Sequence, residues 1–352
     1  MRSIIIKCII VRTSNILLVF ICLCLMSCSK DRTNQKTFQI RNEYDIVSIN
    51  NTEYHFFNPY KNRGELHLKG NIHNHTDNSI NVDGYGSGDP YLTACKFRDE
   101  GNFDFYTYTD HNFVTENPNV DGIIWIGNSV EDTKFDQHLC VYNLPDDYKY
   151  YDISGTCQDI IDYYSNLGAF ISYAHPDWLP LYQSNDKIQS VSKIQFVEIL
   201  NSGDGGSERA FAIMQNHDSF VFGVGVDDYH YSEDWSDPNQ YFNKAYIYAY
   251  AQDKSKDSIW ASLLSGSFYA SNGATMDIEC VDLNIVIKTS KSSKIEIITP
   301  DNDNIEKYRI VNEFDNRTNL CYRIDGTLSI FWIKVINEDG IAISQAFKIF
   351  NE

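Results

Sequence analysis

The chain has 352 residues, 43% of them hydrophobic, and a formal net charge of −19 at pH 7. That length and apolar content exclude a disordered chain and leave room for a large core and more than one domain. The acidic balance argues against non-specific binding to long nucleic acid or anionic lipid, because a negative surface repels both.

At the start of the chain Arg2, Lys7 and Arg12 precede an apolar stretch from Ile16 to Met26, which is followed by Ser27 and Cys28. A positive segment, a short apolar run and a small residue before cysteine read as a signal peptide over 1–27. Leu25-Met26-Ser27-Cys28 resembles a lipobox, with Met26 an unusual choice before the small residue. The run is too short for a membrane span. The expectation is an exported protein held to the bacterial cell envelope by lipid on Cys28. Removing the three positive charges of 1–27 takes the net charge from −19 to −22. Five cysteines then remain besides Cys28, with no CxxC spacing, and the sequence selects no disulfide pair among them.

Residues 29–42 are polar and read as a tether, and 43–65 carry a few aromatics that lead into a first strand. From 66 to 274 strand-like and helix-like segments alternate. The spacing predicts helices over 89–101, 156–168, 207–218 and 255–266. Several stop at a glycine that introduces an apolar strand, the pattern of βα units in a parallel sheet or barrel. After about 275 the helices stop. Six short alternating runs between 282 and 350 predict a small antiparallel β-sandwich over 275–352.

The chemistry gathers where the strand-like segments run out. Six of the nine histidines stand at such places, in LHLKGNIHNHT (66–76), FDFYTYTDH (103–111), HLCVYNL (138–144), GAFISYAHP (168–176) and FVFGVGVDDYH (220–230). Residues i and i+2 of an extended segment face one side, so His73 with His75, and Asp228 with His230, can each reach a common pocket. Barrel enzymes keep their ligands on one rim in this way. Imidazoles mixed with carboxylates suit zinc, manganese or iron, and the lack of cysteine argues against a purely structural zinc site.

HNHT, TDHN, YAHP and VDDYH, in this order, resemble the motifs of the PHP (polymerase and histidinol phosphatase) family of metal-dependent phosphoesterases over residues 66–273. The resemblance implies a distorted (β/α)7 barrel with two or three divalent ions of zinc, manganese or iron. By motif, His73 and His75 would bind one metal with Asp228, His111 and His230 a second, and His175 a further one. Glu131, in WIGNSVED, matches the family's bridging glutamate, and His138 matches a further ligand position. Family members usually place an Asp-Gly soon after the HxH pair. Here Asp83-Gly84 comes after a longer gap than usual, and Asp83 is chosen over Asp77 because a glycine follows it.

The expected reaction is hydrolysis of a small phosphomonoester or phosphodiester, since a cluster of divalent cations reverses the local field for a small anion. Asp110 is a candidate for proton transfer to the leaving group, Arg209 for a phosphate clamp, and Trp178 for a stacking face. Glu198 also ends a strand and either faces the site or supports it. Asp227 reads as structural, as do His55, His67 and His217. Two rival readings remain. A metal-dependent amidohydrolase or deacetylase also starts from HxH, but no lysine here stands convincingly at a strand end. A non-catalytic, surface-tethered binding protein would show eroded ligands.

Overall fold

Alternating apolar residues and strong capping signals build a mixed α/β structure, seen in a computed structural model that describes residues 44–79, 88–203, 205–215, 220–230, 241–301 and 307–351. The expected signal segment 1–27, Cys28 and the expected tether 29–42 lie outside the described residues, as do Asp83 and His217. The described residues belong to one compact unit, Thr37–Glu352.

Helix boundaries follow local chemistry. Helix α1 (Pro90–Asp99) starts at Asp89, whose carboxylate accepts the Tyr91 and Leu92 N–H groups, with proline at the first helical position. Helix α2 (Cys157–Asn166) opens with a capping box in which Thr156 and Asp159 satisfy each other's backbone donors. Helices α3 (Asn185–Gln189) and α4 (Glu208–Met214) are capped by Ser184 and Ser207. Helix α5 (Lys256–Ser265) runs from a Ser255 cap to Gly266 at φ +79°.

Two sheets carry the candidate site. In the first, β3 (Leu66–Asn71), β4 (Phe105–Tyr106) and β5 (Ile124–Trp125) run parallel. Strand β11 (Tyr246–Ala251) joins β3 antiparallel, and β12 (Phe268–Ser271) follows it. The second sheet has the order β10 (Phe222–Val226), β9 (Phe196–Asn201), β8 (Phe170–Tyr173), β7 (Leu139–Leu144), β6 (Asn128–Asp132). Strands β8, β9 and β10 are parallel, whereas β6, β7 and β8 alternate in direction. The two sheets share a core in which Leu68, Ile72 and Phe105 pack with Cys140, Tyr142, Phe196 and Val226.

The expected (β/α)7 barrel is therefore met only in part: the structure is α/β, but its two sheets do not close into one hydrogen-bonded cylinder. Strand β5 is two residues long and offers almost no ladder to β6. On the other side β10 meets β11 by close packing. A Cβ on Gly225 would stand 2.5 Å from the Tyr246 carbonyl oxygen, so only glycine lets the backbones approach this closely.

The C-terminal strands are not a detached layer. Strand β17 (Gly340–Ser344) pairs with β12, so the first sheet continues into them. The four runs predicted between 282 and 326 merge into two long strands, β14 (Asn284–Pro300) and β15 (Tyr308–Arg323), with β13 (Met276–Val281) before them. Register shifts at Lys288/Ser293 and Ser293/Ile295 absorb the polar KTSKSSK stretch, where the apolar alternation lapses. Strand β16 (Ile330–Asn337) pairs with β14, β17 and β18 (Phe347–Phe350). Residues 45–57, read as lead-in, form β1 (Asp45–Ile49) and β2 (Thr52–Phe57), and β2 pairs with β18. Ile49, Phe56, Ile285, Ile297, Phe331 and Phe347 share one apolar cluster there.

Candidate metal centre

The motif segments meet at one rim, knitted by backbone bonds. Asn74 bridges Tyr229 and His111 bridges Glu131. The His75 N–H donates to the Tyr229 carbonyl and the Asp228 N–H to the His73 carbonyl, at 3.0 and 2.9 Å. The loops that carry the candidate ligands are therefore fixed to one another as well as to their strands.

Eight of the nine predicted ligands come together, and Asp83 lies outside the described residues. Among the described residues, four groups place their donor atoms within 4.8 Å of one another: His73, His75, Glu131 and Asp228; His75, His111 and His230; Glu131, His138 and His175; and His73, Cys140 and Glu198, on the Nδ1 side of His73. Glu131 is common to two of them. Its Oε1 is 3.0 Å from His138 Nδ1 and 2.9 Å from His175 Nε2, while its Oε2 is 2.8 Å from His111 Nε2 and 3.3 Å from His73 Nε2. One carboxylate thus faces a different histidine set with each oxygen.

The surrounding bonds favour one tautomer for each of two imidazoles. Glu198 accepts the His175 N–H at 2.8 Å and the Asn201 amide at 2.9 Å, so its other oxygen, 2.5 Å from His73 Nδ1, also accepts. The Ser79 hydroxyl donates to Asp110 at 2.9 Å, so at 3.1 Å it accepts from His75 Nδ1. With both Nδ1 atoms protonated, the Nε2 atoms of His73 and His75 face each other at 3.1 Å as two lone pairs. Both rings are fully buried, and the fully buried Glu131 places Oε2 2.8 Å from His111 Nε2 and 3.3 Å from His73 Nε2. Only a cation or an added proton relieves that arrangement, and the imidazole–carboxylate donor set fits a divalent transition metal.

The electrostatics agree. Burial opposes the charged form of His73, but Asp228, Glu198 and Glu131 outweigh it and raise its pKa well above the usual value. Burial, helped by the neighbouring His230 and His111, pushes His75 well below. Burial would raise Glu131 and Asp228, yet the surrounding imidazoles hold both well below the usual carboxylate range. His175, at φ +26°, and Asp228, at φ +51°, occupy backbone conformations that side chains other than glycine seldom adopt.

The other predicted residues take different places. Asp110 is fully buried and accepts from the Thr76 N–H, Thr76 Oγ1, Ser79 Oγ and Thr115 Oγ1. All its bonds are to donors that shape the His75 side of the site. Arg209 is committed as well: it donates to Asp177, to Asn185 and, at 2.8 Å, to the Gln183 carbonyl, and it lies over the Tyr182 ring. Its guanidinium ties helix α4 to the 177–185 segment. Trp178 stands at the rim, 37% exposed, with its ring 5.3 Å from His175 and 6.2 Å from His138. Glu198 backs His73, and Asp227 accepts three backbone N–H groups from Asn243, Lys244 and Ala245. His55 stacks on Tyr44, and His67 on Tyr248 and Tyr250. Sequence reading missed Ser79, Thr115 and Asn201, which stand in no motif, and gave no role to Thr76, which ends HNHT.

No protein-family model matches the chain, and no curated protein matches it. Among solved structures, the chain is similar to a two-domain protein from Bacteroides vulgatus containing a predicted PHP-like metal-dependent phosphoesterase. The likeness has 15% identity, covers 88% of this chain and 99% of that one, and has a TM-score of 0.41. At that TM-score the function has to be argued from the residues themselves.

Proposed function

We propose that the chain is a metal-dependent phosphoesterase that hydrolyses small phosphomonoesters or phosphodiesters, on a PHP-type barrel, with two or three zinc, manganese or iron ions. The observation that carries the reading is the facing pair of His73 and His75 Nε2 atoms beside the split carboxylate of Glu131. His73, His75, Glu131 and Asp228 would hold one ion, His111 and His230 would contribute to a second, and Glu131, His138 and His175 to a third. When bound, such ions supply Lewis acidity toward phosphoryl oxygens and lower the pKa of water.

The chain's own residues prepare that chemistry. Ser79 and Glu198 hold the Nδ1 protons, which keeps both Nε2 atoms available. Trp178 offers a ring face at the rim for an aromatic or apolar part of the substrate. The resemblance of HNHT, TDHN, YAHP and VDDYH, in that order, to the PHP motifs favours a phosphoester over an amide as the substrate bond. Export with a lipid anchor on Cys28 belongs to the same reading, and the net acidity favours a small substrate over a long polyanion.

The test uses residues 29–352, purified natively and again after incubation with manganese or zinc. Two or three ions per chain, with phosphate release from p-nitrophenyl phosphate or its bis ester that is lost in Glu131→Gln, support the proposal. A single ion with amide or acetyl-ester hydrolysis would replace it with the amidohydrolase reading. No ion after reconstitution would end the catalytic reading altogether.

A further inference from the structure

Strand β9 contributes none of the predicted metal ligands, yet it lies between β8, which leads to His175, and β10, which leads to Asp228. Its pairing with β10 is irregular: Val224 pairs with Glu198 and Gly225 with Leu200, so Ile199 has no partner there. An extra residue of this kind shifts the side-chain alternation of the strand that contains it. Up to the irregularity, Phe196 and Glu198 share the inner face. Beyond it Ile199 and Leu200 both pack into the outer apolar cluster, and Asn201 returns to the inner face beside Glu198.

That placement lets two side chains reach three candidate ligands. Glu198 is fully buried; one of its oxygens takes the His73 Nδ1 proton at 2.5 Å and the other takes the His175 backbone N–H at 2.8 Å. The Asn201 amide donates to the second oxygen at 2.9 Å and lies 3.4 Å from Asp228 Oδ2. Asn201 is itself held, because its Oδ1 accepts the Gly203 N–H at 2.7 Å. His73, His175 and Asp228 come from three different strands and have no covalent reason to keep a common geometry.

Resting on the metal-dependent reading above, we infer that Glu198 and Asn201 form a positioning pair, set on one face by the irregularity at Ile199, that fixes the His73 tautomer and orients His175 and Asp228 for metal. Glu198 is not itself a ligand of the cluster in this assignment, since its oxygen meets His73 on Nδ1, the nitrogen opposite the one that faces His75. Partners of this type hold a ligand imidazole in one orientation and increase its basicity, and losing one lowers metal affinity about 10- to 100-fold.

The experiment titrates cobalt into metal-free protein (residues 29–352) and follows the visible cobalt absorption, ion count and melting temperature for the parent, Glu198→Gln and Asn201→Ala. The expected result is weaker binding by about 10- to 100-fold in Glu198→Gln, with a smaller loss in Asn201→Ala. The ion count at saturation should be unchanged and the cobalt bands altered, which a purely structural role would not produce. Parent-like affinity and superimposable spectra in both variants would overturn the inference, and so would a count lower by one, which would make Glu198 a ligand. If Glu198→Gln does not fold, Asn201→Ala decides: weakened binding supports the pair and parent-like binding overturns it. Failure of the parent itself to bind any ion would instead remove the metal-dependent reading on which the inference rests.

Discussion

Gly205 lies directly against His175: a Cβ on Gly205 would stand 2.4 Å from His175 Cβ and 3.3 Å from Trp178 Cβ. The Gly205 carbonyl also accepts the Asp177 N–H at 3.2 Å, so the two segments cannot separate freely. Gly205→Ala should therefore push His175 off the rim. We expect destabilisation of about 1–3 kcal/mol and loss of metal from the Glu131–His138–His175 group first. Ion counting and thermal melting check this; a parent-like ion count would show that the loop yields instead.

Asp110 has four donors and no free direction toward substrate. Asp110→Asn keeps the shape but turns an acceptor into a donor that faces other donors, so it should cost about 1–3 kcal/mol. The expected signature is a lower melting temperature, with the shape of the pH–rate profile preserved in whatever activity remains. Selective loss of one limb of that profile at parent stability would restore Asp110 as a proton donor.

Arg209 gives the converse test. Its bonds to Asp177, Asn185 and Gln183 predict that Arg209→Ala weakens folding by about 1–3 kcal/mol and leaves KM for a small phosphoester unchanged. A tenfold rise in KM without loss of stability would make it a substrate clamp after all.

Trp178 should act on substrate and not on metal. Trp178→Ala is expected to raise KM for an aryl phosphate by about two- to tenfold, the size of one aromatic contact, and to leave KM for glycerol phosphate unchanged. Equal effects on both substrates would assign Trp178 to supporting His175 and His138.

The pH dependence of the metal-free protein follows from the cluster. Burial opposes the charged forms of His73 and His175, but the neighbouring carboxylates raise both above 6.5. Their contribution is complete below 6.5 and is lost as pH rises through the folded values. Glu131 and Asp228 are held below 4.5 and 3.8, so theirs is complete above those values and is lost as pH falls. His75, pushed below 6.5, works against the other two imidazoles as pH falls. The melting temperature without metal should peak between about pH 4.5 and 6.5. Manganese or zinc should move the peak upward, because the ion takes the place of the protons. A profile that metal does not move would contradict the assignment.

Much of the architecture was readable from short-range chemistry. The helix predicted over 156–168 forms at Cys157–Asn166 because Thr156 and Asp159 cap it, and the one over 255–266 ends where Gly266 supplies a left-handed residue. The strand-end histidines likewise meet as i, i+2 spacing requires. What could not be read depends on contacts distant in the chain. The pairing of β2 with β18 joins residues almost 300 positions apart, and it made structure of a segment that looked like lead-in. Arg209 resembled a clamp because its partners at 177, 183 and 185 lie on another loop.

The sequence by itself determined the ligand chemistry: which imidazoles and carboxylates exist, their spacing, and the strand ends that carry them. Only the tertiary structure decided how they are tuned. The protonation of His73 and His75 depends on Glu198 and Ser79, and the two-sided role of Glu131 depends on histidines from four other segments. The face presented by Asn201 depends on a register irregularity against a neighbouring strand. Local spacing sets where a side chain leaves its own backbone, whereas tautomer, orientation and pKa are set by whatever burial brings within hydrogen-bond reach.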